Sequence, residues 1–478
     1  MKKNGKKYRK LQKNKELKRQ TSLTSCIDDE VDGIKTINLA MAQIVIKNPI
    51  IKDVENIRKK YIDYLIKYLK LGGWDKRKYE SSGLEAYKKI LLDNKEIEQG
   101  HPIDFYQYYI LFDVLHILGY PTKKIQISKI NNLRKQHAAD FINADPAIVK
   151  KIINSVQGED IRLTNLKNIK ALSNEYHYID IVRKNILFRK HNPFVIMVTA
   201  TMSAGKSTFI NSIIGKYVCL SQNMACTSKI HSIINKAYED GYSTEYDHDL
   251  IMTAEKEELL NDNKENLSNV IYVATNFIGK LNNSRIIVND SPGVNFSGDQ
   301  EHQKIANQLI KRRKYGLLIY VMNATQLGTN DEDKHLDFVK QTIGRRRIIF
   351  VVNKVDSFDP DEENIEEIIS RQTTYLKGKG FENPIVCPVS SRAGYLSKKS
   401  QLGTLTRSEE RELYNFVDKF DKLKLDHYYY KEFPNIEVED NHKEEVQLQK
   451  TCGLLFIEEL IKQYAQGGKK DGTNLFKI

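Results

Sequence analysis

Between residues 31 and 190 the apolar positions recur at helical spacing. Val54, Ile57, Tyr61, Leu65 and Leu69 fall three or four residues apart and line one helix face. From Phe105 to Leu118 the chain is apolar at nearly every position, which predicts a helix buried all round at the centre of a bundle. Gly72-Gly73, Gly100-His101-Pro102 and Tyr120-Pro121 punctuate the region. No repeat of fixed length is visible. The aromatic group Phe105, Tyr106, Tyr108 and Tyr109 is read as core packing rather than as a stacking platform for nucleic acid.

The spacing changes at Pro193. Phe194–Val198 is a short β-rich run, and similar runs follow at Arg285–Asn289, Leu317–Met322, Arg347–Val352 and Pro384–Val389. Helical or loop segments separate them. This alternation predicts an α/β fold with a mostly parallel sheet, preceded by an all-helical domain. Residues 395–450 are polar and charged and are predicted to be an insertion. Leu454, Ile457, Ile461 and Tyr464 mark the last amphipathic helix, and Gly467-Gly468-Lys469-Lys470 is expected to end the order. Residues 1–30 lack periodicity and are expected to form a disordered arm. The expected organisation is thus an arm over 1–30, a helical domain over 31–190 and an α/β domain over 191–478.

Charge changes this picture at one end. The formal net charge of the 478 residues is +13, and +9 of it lies in residues 1–20, where ten Lys or Arg face one Glu. The rest is close to neutral, which excludes a basic fold of the histone or ribosomal type. Residues 2–20 are suited to an anionic surface, lipid or nucleic acid, with a solubilising tail as the alternative. No secretory signal is visible, and no run approaches the ~18–20 apolar residues of a membrane span. The five Cys form no C-x-x-C and are expected to be reduced thiols. The 11 His are scattered, which argues against a protein-built metal centre. A cytoplasmic chain is expected, with the membrane periphery open to it through the arm.

The candidate chemistry lies at the ends of the predicted strands. Ala200-Thr201-Met202-Ser203-Ala204-Gly205-Lys206-Ser207-Thr208 matches the phosphate loop G-x-x-x-x-G-K-[ST], with Ala200 replacing the first glycine. Backbone N–H groups over Ala204, Gly205, Lys206, Ser207 and Thr208, at a helix start, face an anionic phosphate. Lys206 places a charge on the β- and γ-phosphates, and the Ser207 hydroxyl can ligate Mg2+. Asp290-Ser291-Pro292-Gly293 is a D-x-x-G in which Asp290 can hold Mg2+ through water and Gly293 offers its N–H to the γ-phosphate.

Asn353-Lys354-Val355-Asp356 is an N-K-x-D. The Asp356 carboxylate can accept from guanine N1–H and the 2-amino group. Adenine would leave it unpaired, so the sequence selects GTP over ATP. The Lys354 stem can lie across the base. Backbone N–H groups of Ser390 and Ser391 are placed for guanine O6. Thr227 is the candidate switch threonine for Mg2+ and the γ-phosphate. Val294 stands where a small GTPase carries the glutamine that orients the attacking water. A slow basal rate is therefore expected, with another device in the chain or in a partner molecule.

Met202–Thr208 with Phe209-Ile210-Asn211, Ala225-Cys226-Thr227, Asp290–Gly293, Asn323-Ala324-Thr325-Gln326-Leu327 and Asn353–Asp356 together resemble the bacterial dynamin-like GTPases. The resemblance covers residues 193–395 and extends to the final helix. It implies a P-loop GTPase domain that uses GTP and Mg2+, releases GDP, and dimerises across its nucleotide with faster hydrolysis. It also implies a catalytic set. Lys206 would act on the phosphates, Ser203 would hold a monovalent cation or position the water, and Thr227 would hold water and Mg2+. The rival expectation is a GTP-dependent switch or assembly module with negligible turnover, associated with nucleoid, ribosome or membrane surface. Val294 favours the rival; Ser203 and Thr227 favour the enzyme. Only 87 residues follow Ser391, so the long stalk of membrane-remodelling dynamins is not expected after the GTPase domain.

Overall fold

The chain divides into two units, residues 1–190 with 249–252, and residues 191–248 with 253–478. The computed structural model describes residues 45, 47–73, 82–93, 100–118, 127–156, 163–219, 230–246, 250–251, 254, 270–291, 300–312, 314–344, 346–438 and 443–467. The expected arm over 1–30 lies outside the described residues, as do Thr227, Gly293 and Val294.

The first unit contains helices α1 (Glu55–Leu71), α2 (Ser82–Asp93), α3 (Gln107–Ile117), α4 (Ile127–Asp140), α5 (Pro146–Val156) and α6 (Tyr176–Lys190). On α1 the predicted stripe is buried at Tyr61, Leu65 and Leu69 and half-buried at Ile57. On α3 every residue from Tyr108 to Ile117 is buried, as its unbroken apolar sequence requires. Asp113 sits in the middle of that helix. An unpartnered carboxylate there would be costly, and four donors meet it. Tyr61 OH donates to Oδ2 at 2.6 Å and Asn48 Nδ2 at 3.0 Å. Tyr87 donates to Oδ2 and Tyr178 to Oδ1. Burial pushes the Asp113 carboxyl up, and these four hydrogen bonds pull it down.

The second unit holds a mixed, mostly parallel sheet. Its strands are β1 (Phe194–Ala200), β2 (Ile230–Asn235), β3 (Thr244–Tyr246), β4 (Val270–Thr275), β5 (Ile286–Asp290), β6 (Leu317–Asn323), β7 (Arg347–Asn353) and β8 (Ile385–Val389). They lie in the order β3-β4-β2-β5-β1-β6-β7-β8. β5, β1, β6, β7 and β8 are mutually parallel. β2 runs antiparallel to β5 and parallel to β4. The register brings the strand ends level: Ala200 pairs with Val321, Val198 with Asp290, and Asn353 with both Asn323 and Val389. A crevice at the C-terminal ends of parallel strands is where such sheets bind ligands.

The helices of this unit are α7 (Lys206–Ile214), α8 (Gln300–Arg312), α9 (Asn330–Ile343), α10 (Ile365–Gly378), α11 (Ser391–Ser400), α12 (Arg407–Leu423), α13 (Leu425–Glu432), α14 (Glu444–Thr451) and α15 (Leu454–Ala465). Strands β2, β3 and β4 were not anticipated from the alternation of elements. Val270-Ile271-Tyr272-Val273 carries the β-branched signal for one of them. The polar stretch 395–450 is also more structured than its composition suggests. α12 starts on a capping box between Thr406 and Glu409, and Leu413, Phe420, Tyr429 and Leu448 are buried. α11 begins directly after Ser390, whose hydroxyl accepts from Ala393 N at 3.2 Å. Gly394 lets α11 approach α15, since a Cβ there would meet Leu454 Cδ2 at 2.7 Å. Among the described residues no helix is long and apolar enough to cross a membrane.

Candidate nucleotide site

β1 ends at Ala200, which is fully buried and paired in the sheet, so a β-carbon is accommodated where the usual loop has glycine. The loop then turns through two left-handed residues. Ser203 has φ +62° and Gly205 has φ +83°. At Gly205 a Cβ would lie 2.4 Å from Asn353 Nδ2, so only glycine fits. α7 begins at Lys206. Ser203 is exposed, Ala204 is buried, and Gly205, Ser207 and Thr208 are half-buried.

Lys206 Nζ pairs with the Asp290 carboxylate, and the two side chains are 8% and 2% exposed. The sheet places Asp290 there as the last residue of β5, beside β1. Cys219 is buried next to this pair. Burial first, then the charge of Asp290, pushes its thiol well up. Asn211 of α7 clamps the Cys219 backbone, with N donating to Asn211 Oδ1 and O accepting from Nδ2, both at 2.8 Å.

Asn353 joins three of the sequence-predicted segments. Its Nδ2 donates to Ala204 O at 3.0 Å, and its Oδ1 accepts from Ser391 N at 3.1 Å. Lys354 follows at φ +67°, and Val355 is fully buried beneath the short turn that carries half-exposed Asp356. Ser390 and Ser391 are both fully buried. Ala204, Gly205, Lys206, Asp290, Asn353, Lys354, Asp356, Ser390 and Ser391 therefore come together at one end of the sheet.

Several residues of this region were not singled out as site residues from sequence. Asn323, in register with Asn353, accepts at Oδ1 from Thr325 N at 3.1 Å and Thr325 Oγ1 at 2.9 Å, and its Nδ2 reaches Ser203 O at 3.4 Å. The signal for it was a strand-end asparagine at the position matching that of N-K-x-D. Thr199 Oγ1 lies 3.1 Å from His335 Nε2, and burial pulls His335 down to about 3, so the ring is neutral.

Glu332, in the first turn of α9, is 1% exposed and accepts from Gly328 N at 2.8 Å. Burial raises its carboxyl from 4.5 to about 7, against the lowering by that hydrogen bond. A folded-state value above the unfolded one means stability is fully present below about pH 4.5 and is lost as pH rises through about 7. Glu332→Gln keeps an acceptor for Gly328 and removes the titration. The variant's stability, measured by denaturant unfolding, is expected to exceed that of the parent chain at pH 8 by on the order of 3 kcal/mol, with no such gain at pH 4. Parallel stability curves between pH 4 and 8 would show that Glu332 is ionised at little cost.

Residues 196–355 match the Dynamin family. A curated relative, the probable transmembrane GTPase FZO-like, chloroplastic, of Arabidopsis thaliana, is 24% identical over 296 residues. That similarity covers 61% of this chain and 29% of the relative, so the chain spans under a third of the relative's length. Among solved structures, an oligomerised bacterial dynamin pair is similar at a TM-score of 0.35 and 14% identity, covering 90% of this chain and 61% of that one. Toc33 from Arabidopsis thaliana in complex with GDP and Mg2+ is similar at a TM-score of 0.31 and 15% identity, covering 61% of this chain and 94% of that one. The segment that carries the phosphate loop, Asp290 and Asn353 is the part of the chain that matches the Dynamin family, as a dynamin-type G domain.

Proposed function

We propose that this chain binds GTP and GDP with Mg2+ and hydrolyses GTP, and that nucleotide-dependent dimerisation of its G domain raises the rate. Asn353 carries the reading, because its one side chain ties the phosphate loop to the turn that reads the base and to Ser391. Phosphate would lie on the N–H groups at the start of α7, with Lys206 supplying charge. Asp356 would accept from guanine and Lys354 would cover the base, whereas the N–H groups of Ser390 and Ser391, expected from the sequence to face guanine O6, already donate to Cys452 O and Asn353 Oδ1 and do not take that role. Ser207 and Asp290 offer a hydroxyl and a carboxylate oxygen, the hard donors Mg2+ prefers. The ion would neutralise charge developing on the phosphates. Thr227 and Gly293 are assigned to the γ-phosphate end by their place in the sequence, and Ser203 to the water or a monovalent cation. Residues 2–20 would add salt-dependent affinity for anionic lipid or nucleic acid and draw a cytoplasmic chain to such a surface.

The test is competition for a fluorescent guanine nucleotide. Unlabelled GTP and GDP are expected to displace it, and ATP at the same concentration is not. Lys206→Ala, with its Tm measured alongside because it leaves buried Asp290 without its partner, is expected to abolish binding in the folded chain. Equal displacement by ATP would overturn the reading of Asp356, and binding retained by Lys206→Ala would overturn that of the phosphate loop.

A further inference from the structure

We propose that Lys398 is a positioning residue for nucleotide binding. Fastened by Glu458 of the last helix, it anchors the C-terminal end of α7 and so holds the opposite end, where Gly205 and Lys206 meet the phosphates. This rests on the reading that the start of α7 binds phosphate.

The last carbonyls of a helix have no partner within it and must find one elsewhere. In α7, Asn211 O accepts from Gly215 N at 2.7 Å and Ile214 O from Ile278 N at 2.8 Å. Ile213 O accepts from Lys398 Nζ at 2.7 Å. The same ammonium pairs with Glu458 of α15, and both side chains are 0% exposed. A buried ion pair is a poor way to gain stability, because desolvation offsets the attraction. An apolar pair would fasten α15 at least as well. What the lysine adds is a cation and a donor at the carbonyl end of a helix, where both are favourable.

The surroundings are shaped around it. A Cβ on Gly215 would lie 3.1 Å from Lys398 Cδ, and one on Gly279 would lie 3.2 Å from Cε and 3.1 Å from Glu458 Oε2. Both glycines also have positive φ, at +82° and +100°. α7 spans only Lys206–Ile214, about 13 Å at 1.5 Å per residue. Over so short a rod, a tilt or slide at Ile213 reaches the first-turn N–H groups.

The experiment measures Kd for GTP, GDP and ATP, and Tm, in the full chain. Lys398→Met alone would leave Glu458 buried and unpaired, so the informative variant is Lys398→Met with Glu458→Leu, which removes both charges. Its Tm is expected to stay within a few degrees of the parent's. Its affinity for GTP and GDP is expected to fall together by on the order of tenfold, the loss of one charged hydrogen bond. The preference for GTP over ATP should not change, since the base-reading turn is untouched. Glu458→Gln, which leaves the Lys398 bond to Ile213, is expected to weaken binding by about threefold or less. If the Met/Leu pair fails to fold, Lys398→Met with Glu458→Gln, which also removes the donor to Ile213 O and both charges, supplies the same comparison. A folded double variant with unchanged GTP and GDP affinity overturns the positioning role. Failure of the unaltered chain to bind guanine nucleotide would instead overturn the underlying site assignment.

Discussion

Asp356→Asn is expected to cut GTP affinity by about 10²–10⁴-fold and to make xanthosine triphosphate the better ligand. The carboxylate offers two acceptors to guanine N1–H and the 2-amino group. The amide turns a donor toward a donor and leaves buried polar groups unpaired. Xanthine carries a 2-oxo group in place of the 2-amino group and restores the match. The substitution should not disturb the fold. The turn is anchored by fully buried Val355 and by Asn353, while Asp356 itself is half-exposed. Titration of both nucleotides into the parent and variant chains reads the result. Unchanged GTP affinity would mean that Asp356 does not contact the base.

GTPase activity per molecule is expected to climb steeply with protein concentration, by up to about 10³–10⁵ once dimers form. Val294 cannot orient water as a glutamine does, so a monomer lacks one catalytic part. The transition state still needs its charge balanced and its water held in line. Ser203 is exposed on the phosphate loop in a left-handed conformation, where a facing G domain can reach it. Ser203→Ala should therefore lower the stimulated rate far more than nucleotide affinity. Phosphate release measured from well below to well above the concentration of dimer formation decides the matter. A flat specific activity would put the switch or assembly module ahead of the enzyme.

What the sequence determined by itself is the set of features carried by neighbouring residues. Backbone N–H groups at Gly205–Thr208, the donor pattern of Asp356 and the apolar run of α3 are all short-range, so spacing alone announces them. The order of Lys206, Asp290 and Asp356 at the ends of parallel strands was legible for the same reason. Tertiary structure decided the rest. Lys206 and Asp290 are 84 residues apart and meet only because β5 lies beside β1. Asn353 reaches back 149 residues to Ala204, a contact set by the parallel register and by a glycine that leaves it room. The polar composition of 395–450 concealed helices whose buried residues include Leu396, Leu413, Phe420, Leu425 and Leu448. Asp113 in an apolar helix and Lys398 in a polar one look alike as stray charges in the sequence. Their partners come from segments far along the chain. A local pattern records which residues are apolar, whereas the partner of a buried charge depends on which distant elements the fold brings within hydrogen-bonding reach.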